Sequence, residues 1–179
     1  MRARLRDRDD LITREGLIFR VLGYDHPEGA WFCEPLYAPC SIFGSRDPRA
    51  PRLARDGGIY FKFYGDEGWR FVMERFPAYR LMHEPLGADL VGVREEQVAL
   101  VRRTDDGLKA LLASDCEDEL IAALVELLDE LTSEAGLRKS DFGVFGSLLH
   151  GFYHPKLSDL DLVIYGRRAL EKAREALKA

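Results

Sequence analysis

Apolar and polar residues alternate along several short segments in the first half of the chain. Alternation with a period of two is typical of β-strands that bury one face. Residues 11–23 predict two strands around a turn at Glu15-Gly16, and residues 30–37, 58–64 and 90–93 predict three more. This pattern favours a β-rich N-terminal region.

Helices and a loop are expected between these strands. Asp66 is a suitable N-cap for a short helix that ends near Pro77, and residues 94–103 predict another helix. Residues 44–57 contain two prolines and four arginines, a composition typical of a loop.

The clearest helix lies in the second half of the chain. Ser114 and Glu117 have the spacing of a capping box, and Gly136 suits the C-terminal end of the helix. An apolar stripe at helical spacing consists of Leu120, Ile121, Leu124, Leu127, Leu128 and Leu131. We expect this stripe to form a core against the strands of the second half.

One strand permits two interpretations. Ile59, Phe61 and Phe63 alternate with Tyr60, Lys62 and Tyr64. We interpret the segment as a half-buried strand with an apolar core face. The alternative for this strand is that its tyrosines, beside a lysine, stack on the bases of a single strand. The loop 44–57 is a separate feature, and the alternative for it is that its four arginines contact phosphates. Because Asp47 and Asp56 offset those arginines, we interpret the loop as solvated.

Two aspartates near the C-terminal end suggest a metal site. Asp159 and Asp161 begin a β-prone segment, 159–165, which Ser158 and Gly166 bound. On a strand both aspartates share one face, about 6.6 Å apart along the chain. Carboxylate oxygens suit Mg²⁺ or Mn²⁺ better than a soft metal. We therefore predict that Asp159 and Asp161 bind a divalent cation.

A glycine and a serine precede these aspartates. The apolar segment 142–145 predicts a strand that leads into Gly146-Ser147, and a short helix is expected to follow. Glycine lets a backbone approach a ligand closely, and the N–H groups at the start of a helix favour phosphate oxygens. Gly146 and Ser147, whose hydroxyl is a further donor, are therefore the predicted nucleotide-binding residues.

These residues resemble the core motif of the nucleotidyltransferase superfamily, the polymerase-beta-like fold that includes minimal nucleotidyltransferase domains. The resemblance covers residues 141–166, with Gly146-Ser147, Gly151 and Ser158-Asp-Leu-Asp-Leu-Val163 as its motif. It implies that the Gly-Ser pair holds a nucleoside triphosphate. It also implies that Asp159 and Asp161 are catalytic and bind the divalent ions that activate attack on the α-phosphate. The N-terminal part resembles uncharacterised archaeal proteins that carry such a domain behind a β-rich leader.

The chain differs from the family pattern at two places. His150 stands where members often carry an arginine, and the family's third carboxylate normally lies on a later strand. Here residues 167–179 predict a helix. Two functions therefore stay open. One is metal-dependent transfer of a nucleoside monophosphate from an NTP to an unknown acceptor, which is RNA, a protein or a small molecule. The other is a catalytically incomplete nucleotide- or RNA-binding module.

The expected fold class is α+β, with a β-rich N-terminal domain before a truncated-looking nucleotidyltransferase-like α/β unit. Thr104-Asp-Asp-Gly107 is the best boundary, which gives domains at residues 1–106 and 107–179. Only two strands are predicted in the second domain, and a two-stranded sheet is rarely stable alone. The first domain, a second copy of the chain in a homo-oligomer, or further sequence of a longer protein is expected to complete it.

Composition limits the remaining possibilities. A net charge of −5 argues against a surface that is generally coated with nucleic acid. The cysteines have no zinc-ligand spacing and predict reduced thiols in a cytoplasmic protein; they are Cys33, Cys40 and Cys116. The charged N-terminus lacks the apolar segment of a secretory signal. Since no apolar stretch approaches the roughly 20 residues that cross a bilayer, no membrane partner is expected.

Overall fold

The computed structural model describes residues 4–54, 57–114 and 118–178. Within these ranges the chain forms two compact units, one ending at Arg103 and the other beginning at Thr104. The fold is α+β, as predicted, with a large antiparallel sheet in the first unit and helices around a small sheet in the second. Cys116, Glu117, Arg55 and Asp56 lie outside the described residues.

The first unit contains a sheet of eight described strands and one α-helix. The strands are β1 (Asp10–Thr13), β2 (Ile18–Val21), β3 (Ala30–Pro39), β4 (Pro51–Leu53), β5 (Ile59–Lys62), β6 (Arg80–His83), β7 (Ala88–Arg94) and β8 (Val98–Arg102). The helix is α1 (Glu67–Arg75), and short 3-10 turns occupy Pro77–Tyr79, Glu84–Leu86 and Glu95–Gln97.

The long strand β3 organises this sheet. It pairs with β2 along one edge, whereas its first residues pair with β7 and its last residues with β5 along the other edge. Strand β1 lies between β2 and β8, β4 pairs with β5, and β6 pairs with β7, all antiparallel. Buried apolar side chains fill the core, among them Leu11, Phe19, Val21, Cys33, Val72, Tyr79, Val91 and Val93.

The predicted strands of this unit are confirmed, but the helix predicted over residues 94–103 is wrong. Glu95–Gln97 forms a 3-10 turn and Val98–Arg102 forms β8. Val101 lies opposite Leu11 in an antiparallel pair with β1. Pairing with a distant strand satisfies the backbone groups of this segment, and local helical propensity does not decide its structure.

Two further details of the first unit differ from expectation. The loop predicted over residues 44–57 contains the short strand β4. Asp66 occupies the N-cap position of α1, but its side chain makes no capping hydrogen bond. Instead its Oδ2 atom forms an ion pair with Arg70 Nε at 3.2 Å.

The second unit places helices around a sheet of two described strands. Its helices are α2 (Thr104–Leu112), α3 (Glu119–Glu134), α4 (Gly146–His150) and α5 (Arg167–Ala176), and its strands are β9 (Phe142–Val144) and β10 (Leu162–Ile164). A 3-10 turn occupies Lys139–Asp141. The strands run antiparallel, with Val163 opposite Gly143. Residues 104–107, which the sequence suggests as a boundary, form the first turn of α2.

Helix α3 begins later than the capping box at residues 114–117 predicts. Its N-cap is Asp118, whose Oδ1 atom accepts hydrogen bonds of 3.0 Å from the N–H groups two and three residues later. Ser114 instead donates to the Leu111 carbonyl at the end of α2, at 2.7 Å. The cap is therefore a single aspartate at the residue that precedes the helix.

The apolar stripe of α3 forms the predicted core. The stripe residues are buried except for Leu127, which is half-buried. They share a cluster with Phe142 and Val144 of β9 and with Leu162 and Ile164 of β10. The predicted apolar stripe of α3 therefore belongs to the same core as the two strands.

Candidate functional site

The antiparallel pairing of β9 and β10 brings the Gly-Ser motif beside the second aspartate. The Phe145 N–H donates to the Asp161 carbonyl at 3.1 Å, one residue beyond the regular ladder. Gly146 follows at the start of α4. Two parts of the motif that are separated in sequence therefore meet at one end of the sheet.

Gly146 is required at this point for two reasons. Its φ angle is 64°, in the left-handed region that favours glycine. A Cβ atom at this position would lie 2.5 Å from Asp161 Oδ2, closer than real contacts allow. The carboxylate of Asp161 therefore lies directly against the backbone of Gly146, and a Cβ atom here would force that carboxylate to move.

Helix α4 is a single turn, and the second glycine of the motif ends it. Gly151 has φ 66° and ψ 25°, and its N–H is directed to the Leu148 and Ser147 carbonyls. The Phe152 N–H also donates to the Ser147 carbonyl, at 2.9 Å. These contacts fix the backbone of the half-buried Ser147, so Gly151 acts as a left-handed helix terminator.

Asp159 lies in a different environment from Asp161. The strand predicted over residues 159–165 begins only at Leu162, and Asp159 is exposed whereas Asp161 is half-buried. Strand β9 ends at Val144 and the chain then turns into α4, so among the described residues the ladder does not reach Asp159. The prediction that the strand begins at Asp159 is therefore wrong, and the shared direction of the two aspartates stays a prediction.

A turn before the aspartates sets their approach to the sheet. The Ser158 N–H donates to the His154 carbonyl at 3.0 Å, and the His154 N–H donates to Ser158 Oγ at 2.9 Å. The serine of the Ser-Asp-x-Asp motif thus closes the turn with both its backbone and its side chain.

His150 has a packing position in this unit. Its side chain is buried and its ring is stacked on Phe152, with centroids 5.4 Å apart and planes 24° apart. The position at which family members often carry an arginine therefore lies in the interior here.

Small residues let α2 approach the strand and helix that carry the motif. A Cβ atom at Gly107 of α2 would overlap the Leu149 side chain of α4 and lie 3.3 Å from Val144 Cγ2. A Cβ atom at Gly143 would lie 2.6 Å from the Tyr165 hydroxyl, which hydrogen-bonds to buried Thr104. Sequence reasoning missed these contacts, although a glycine inside a helix is a signal for close packing.

A further contact ties the loop after α4 to the start of α3. The Tyr153 hydroxyl donates to Asp118 Oδ2 at 2.9 Å, while the other oxygen of Asp118 caps the helix. The carboxylate therefore joins two elements. No local pattern signals this partnership because the residues lie far apart in the chain.

The donors at the site are hard oxygen atoms. Asp159 and Asp161 supply carboxylates, a type of ligand that fits Mg²⁺ or Mn²⁺. Within the residues that the structure describes, no group of three His, Cys, Asp or Glu side chains is arranged to hold a metal ion. The described site thus offers the Asp161 carboxylate against Gly146, with Asp159 two residues earlier in the chain.

A comparison with protein families finds a match within the second unit. Residues 124–179 match the family model of the nucleotidyltransferase domain. The match spans most of α3 and the whole of β9, α4, β10 and α5. The resemblance to the nucleotidyltransferase superfamily is therefore confirmed for this part of the chain.

The resemblance to archaeal proteins is also confirmed. The chain is 29% identical over 178 residues to an uncharacterized protein of Methanocaldococcus jannaschii, an alignment that covers 98% of this chain and 52% of that protein. The chain thus spans about half the length of the curated relative it matches. No solved structure matches. Among the described helices, none is long and apolar enough to cross a membrane.

Proposed function

We propose that the second unit is a metal-dependent nucleotidyltransferase that moves a nucleoside monophosphate from an NTP to an acceptor. The observation that carries this proposal is the close approach of the Asp161 carboxylate to the Gly146 backbone, at 2.5 Å from where a Cβ would lie. The two residues lie inside the segment that matches the nucleotidyltransferase domain. Such a domain implies an NTP substrate and generally uses a divalent metal ion.

Each motif residue has a role in this proposal. Ser147 donates its hydroxyl to the triphosphate, and the backbone N–H groups at the start of α4 donate to phosphate oxygens. Gly146 leaves room for the Asp161 carboxylate beside them. Asp159 and Asp161 are the residues that would hold Mg²⁺ or Mn²⁺. When bound, the cation neutralises negative charge that develops on the phosphates during the in-line displacement. The side chains of Thr104, Asp118 and Tyr153 keep the surrounding elements in place.

Transfer of a labelled nucleotide tests the proposal. The protein is incubated with Mg²⁺ or Mn²⁺, each α-labelled NTP, and one acceptor class at a time: RNA, protein or small molecules. We expect label to reach one acceptor class. Asp159→Asn and Asp161→Asn are each expected to lose about 10²-fold or more of the rate. The matched control is Asp129→Asn, which removes an exposed carboxylate of α3 that pairs with Lys139 at 2.9 Å.

Absence of transfer to every acceptor class would overturn the enzymatic proposal, as would transfer that survives both aspartate substitutions. The second candidate is a module that binds nucleotide or RNA without turnover. It is favoured by the finding that no third potential ligand joins Asp159 and Asp161 within the described part of the chain. Metal-dependent binding of a non-hydrolysable NTP by calorimetry, without transfer, would select this candidate.

We propose a cytoplasmic setting and self-association for this protein. Cys33 is buried and Cys40 is exposed, and both are free thiols, as suits a reducing compartment. Among the described residues the β9–β10 sheet has two strands, and an edge without a further strand invites one from a second copy. Light scattering on the purified chain should give the mass of a dimer; a monomer at high concentration would contradict self-association.

A further inference from the structure

Three cationic side chains gather around one tyrosine in the first unit. The Arg49 guanidinium carbon lies 4.6 Å from the ring centroid of Tyr64, and Lys62 Nζ lies 5.3 Å from the same centroid. The Arg52 guanidinium donates to the Tyr64 hydroxyl at 3.3 Å. Together with Tyr60, these residues form what we call the Tyr64 cluster.

The sheet places Arg52, Tyr60 and Lys62 on one side of the β4–β5 pair. Arg52 lies directly opposite Tyr60 in the antiparallel register. Lys62 follows Tyr60 by two residues and therefore shares its face. The opposite face of this segment is apolar, since Phe61 and Phe63 both pack on the ring of Phe43. Their ring centroids lie 6.3 and 4.7 Å from that of Phe43. The loop arginines and the strand tyrosines, which the sequence treats separately, thus form one surface.

The positive charge of this cluster is only partly neutralised. Arg49 forms an ion pair with Asp47 at 2.7 Å, and its hydrogen bonds lower the pKa of that carboxyl to about 2. The partners of Arg52 are the Arg49 and Pro51 carbonyls and the Tyr64 hydroxyl. Among the described residues, neither Arg52 nor Lys62 has a carboxylate partner.

One further carboxylate lies close to the cluster but is already engaged. Glu67 accepts a hydrogen bond of 3.1 Å from Ser45 Oγ and one of 3.5 Å from the Tyr64 N–H. The side chain of Glu67 therefore contacts the backbone behind the ring rather than the cations of the surface.

The cluster lies in a basic segment of an acidic protein. Residues 44–64 contain five Arg and Lys residues and two Asp residues, whereas the whole chain has a net charge of −5. A local surplus of cations attracts polyanions even when the protein as a whole is negative. Aromatic rings beside these cations add a surface on which bases can stack.

We propose that the Tyr64 cluster binds single-stranded nucleic acid, with Arg52 and Lys62 at phosphates and Tyr60 stacked on a base. A single strand offers unstacked bases that a duplex lacks, together with a charged backbone. The site belongs to the first unit and does not depend on the nucleotidyl-transfer proposal. The proposal takes up the base-stacking alternative for this strand.

Fluorescence anisotropy with the full chain and a labelled 20-nucleotide RNA tests this site, with the salt concentration varied. Arg52→Gln/Lys62→Gln should weaken binding about tenfold at low salt and reduce the slope of log K against log salt by about 1.4. The matched control is Arg70→Gln/Arg75→Gln, which removes two exposed cations from α1 in the same unit. The control should bind RNA like the wild type.

A second pair of variants separates stacking from charge. Tyr60→Leu should lose about fivefold or more in affinity, whereas Tyr60→Phe keeps a ring and should retain binding. The conservative double variant Arg52→Lys/Lys62→Arg keeps both charges and should also bind. Circular dichroism melts of each variant check that the fold is intact.

The choice of probe identifies the ligand. DNA of the same sequence and length shows whether the 2′-hydroxyl contributes, and either single strand satisfies the proposal. Stronger binding to duplex RNA or to anionic phospholipid vesicles would overturn it. So would equal losses in the Arg52/Lys62 and Arg70/Arg75 double variants, or no binding to any single strand at 50 mM salt.

Discussion

The two units hold their residues together by different means. In the first unit, aromatic rings pack over a large sheet; Phe43 contacts Phe63 and Phe71 with centroids 4.7 and 4.8 Å apart. In the second unit, one leucine stripe shares a core with a two-stranded sheet, and glycines allow close contacts between elements. This difference predicts which substitutions should lower the stability of each unit most. In the first unit, packing energy is spread over many aromatic rings. In the second unit, a few close contacts at glycines set the geometry.

The largest expected effect is a cavity in the small core of the second unit. Leu124→Ala removes a fully buried side chain of α3 and should lower the free energy of unfolding by about 2–5 kcal/mol. Urea denaturation measures the loss, and hydrogen exchange should show weaker protection in α3 and β9. Leu127→Ala on the same helix is the control because Leu127 is only half-buried. Equal losses for both leucines would contradict the packing described above.

A smaller effect is expected from adding one methyl group at a glycine. Gly146→Ala combines a positive φ angle with a clash against Asp161 and should destabilise the second unit by about 2–3 kcal/mol. Gly87 of the first unit has a similar φ of 59° but no atom within 4 Å of a Cβ. Gly87→Ala should therefore cost only about 1 kcal/mol of backbone strain. If thermal melts show equal losses of stability for the two variants, the loss at Gly146 comes from backbone strain alone and the contact with Asp161 adds nothing.

Each unit also has a tyrosine that bonds to a distant carboxylate. The Tyr79 hydroxyl donates to Glu15 Oε2 at 2.6 Å, and the Tyr153 hydroxyl donates to Asp118 Oδ2 at 2.9 Å. Tyr79→Phe and Tyr153→Phe should each cost about 1 kcal/mol of stability. The Tyr153 variant should also loosen the start of α3, which hydrogen exchange detects. No change in either variant would mean that water replaces the lost bond without cost.

The bond of Tyr79 predicts a dependence on alkaline pH. Burial and the bond to Glu15 raise the pKa of Tyr79. A raised pKa in the folded state means that the contribution is complete below about pH 10, the unfolded value, and is lost as pH rises further. Urea denaturation from pH 8 to 11.5 should therefore show a steeper loss in wild type than in Tyr79→Phe. Parallel curves would contradict this assignment.

The spacing of apolar residues along the sequence predicts those elements whose form depends on which face is buried. The strands of the first unit and the leucine stripe of α3 were predictable because burial imposes a period of two or 3.6. The start of α3 was misplaced because a single Asp118 competes with the pattern Ser114-x-x-Glu117, and sequence does not reveal which one caps. Residues 94–103 were assigned to a helix because the strand with which they pair, β1, lies far away in the sequence, near the start of the chain.

The candidate site shows the same limit. Its motif residues were predictable from the sequence, and the structure brings Gly146 and Asp161 together. The position of Asp159 was not predictable, because it depends on where β9 ends and α4 begins. The contacts of Thr104 with Tyr165 and of Asp118 with Tyr153 join residues far apart in the chain, and no local spacing records them.

Paramagnetic broadening by Mn²⁺ tests most directly whether this end of the sheet is a metal and nucleotide site. Mn²⁺ is added in small steps to ¹⁵N-labelled protein with a non-hydrolysable NTP, and the amide signals are followed by NMR. We expect the signals of Gly146, Ser147 and Asp161 to broaden first, and Asp161→Asn to abolish this order. Broadening that begins elsewhere, or that is unchanged in Asp161→Asn, would show that the site lies in another part of the molecule.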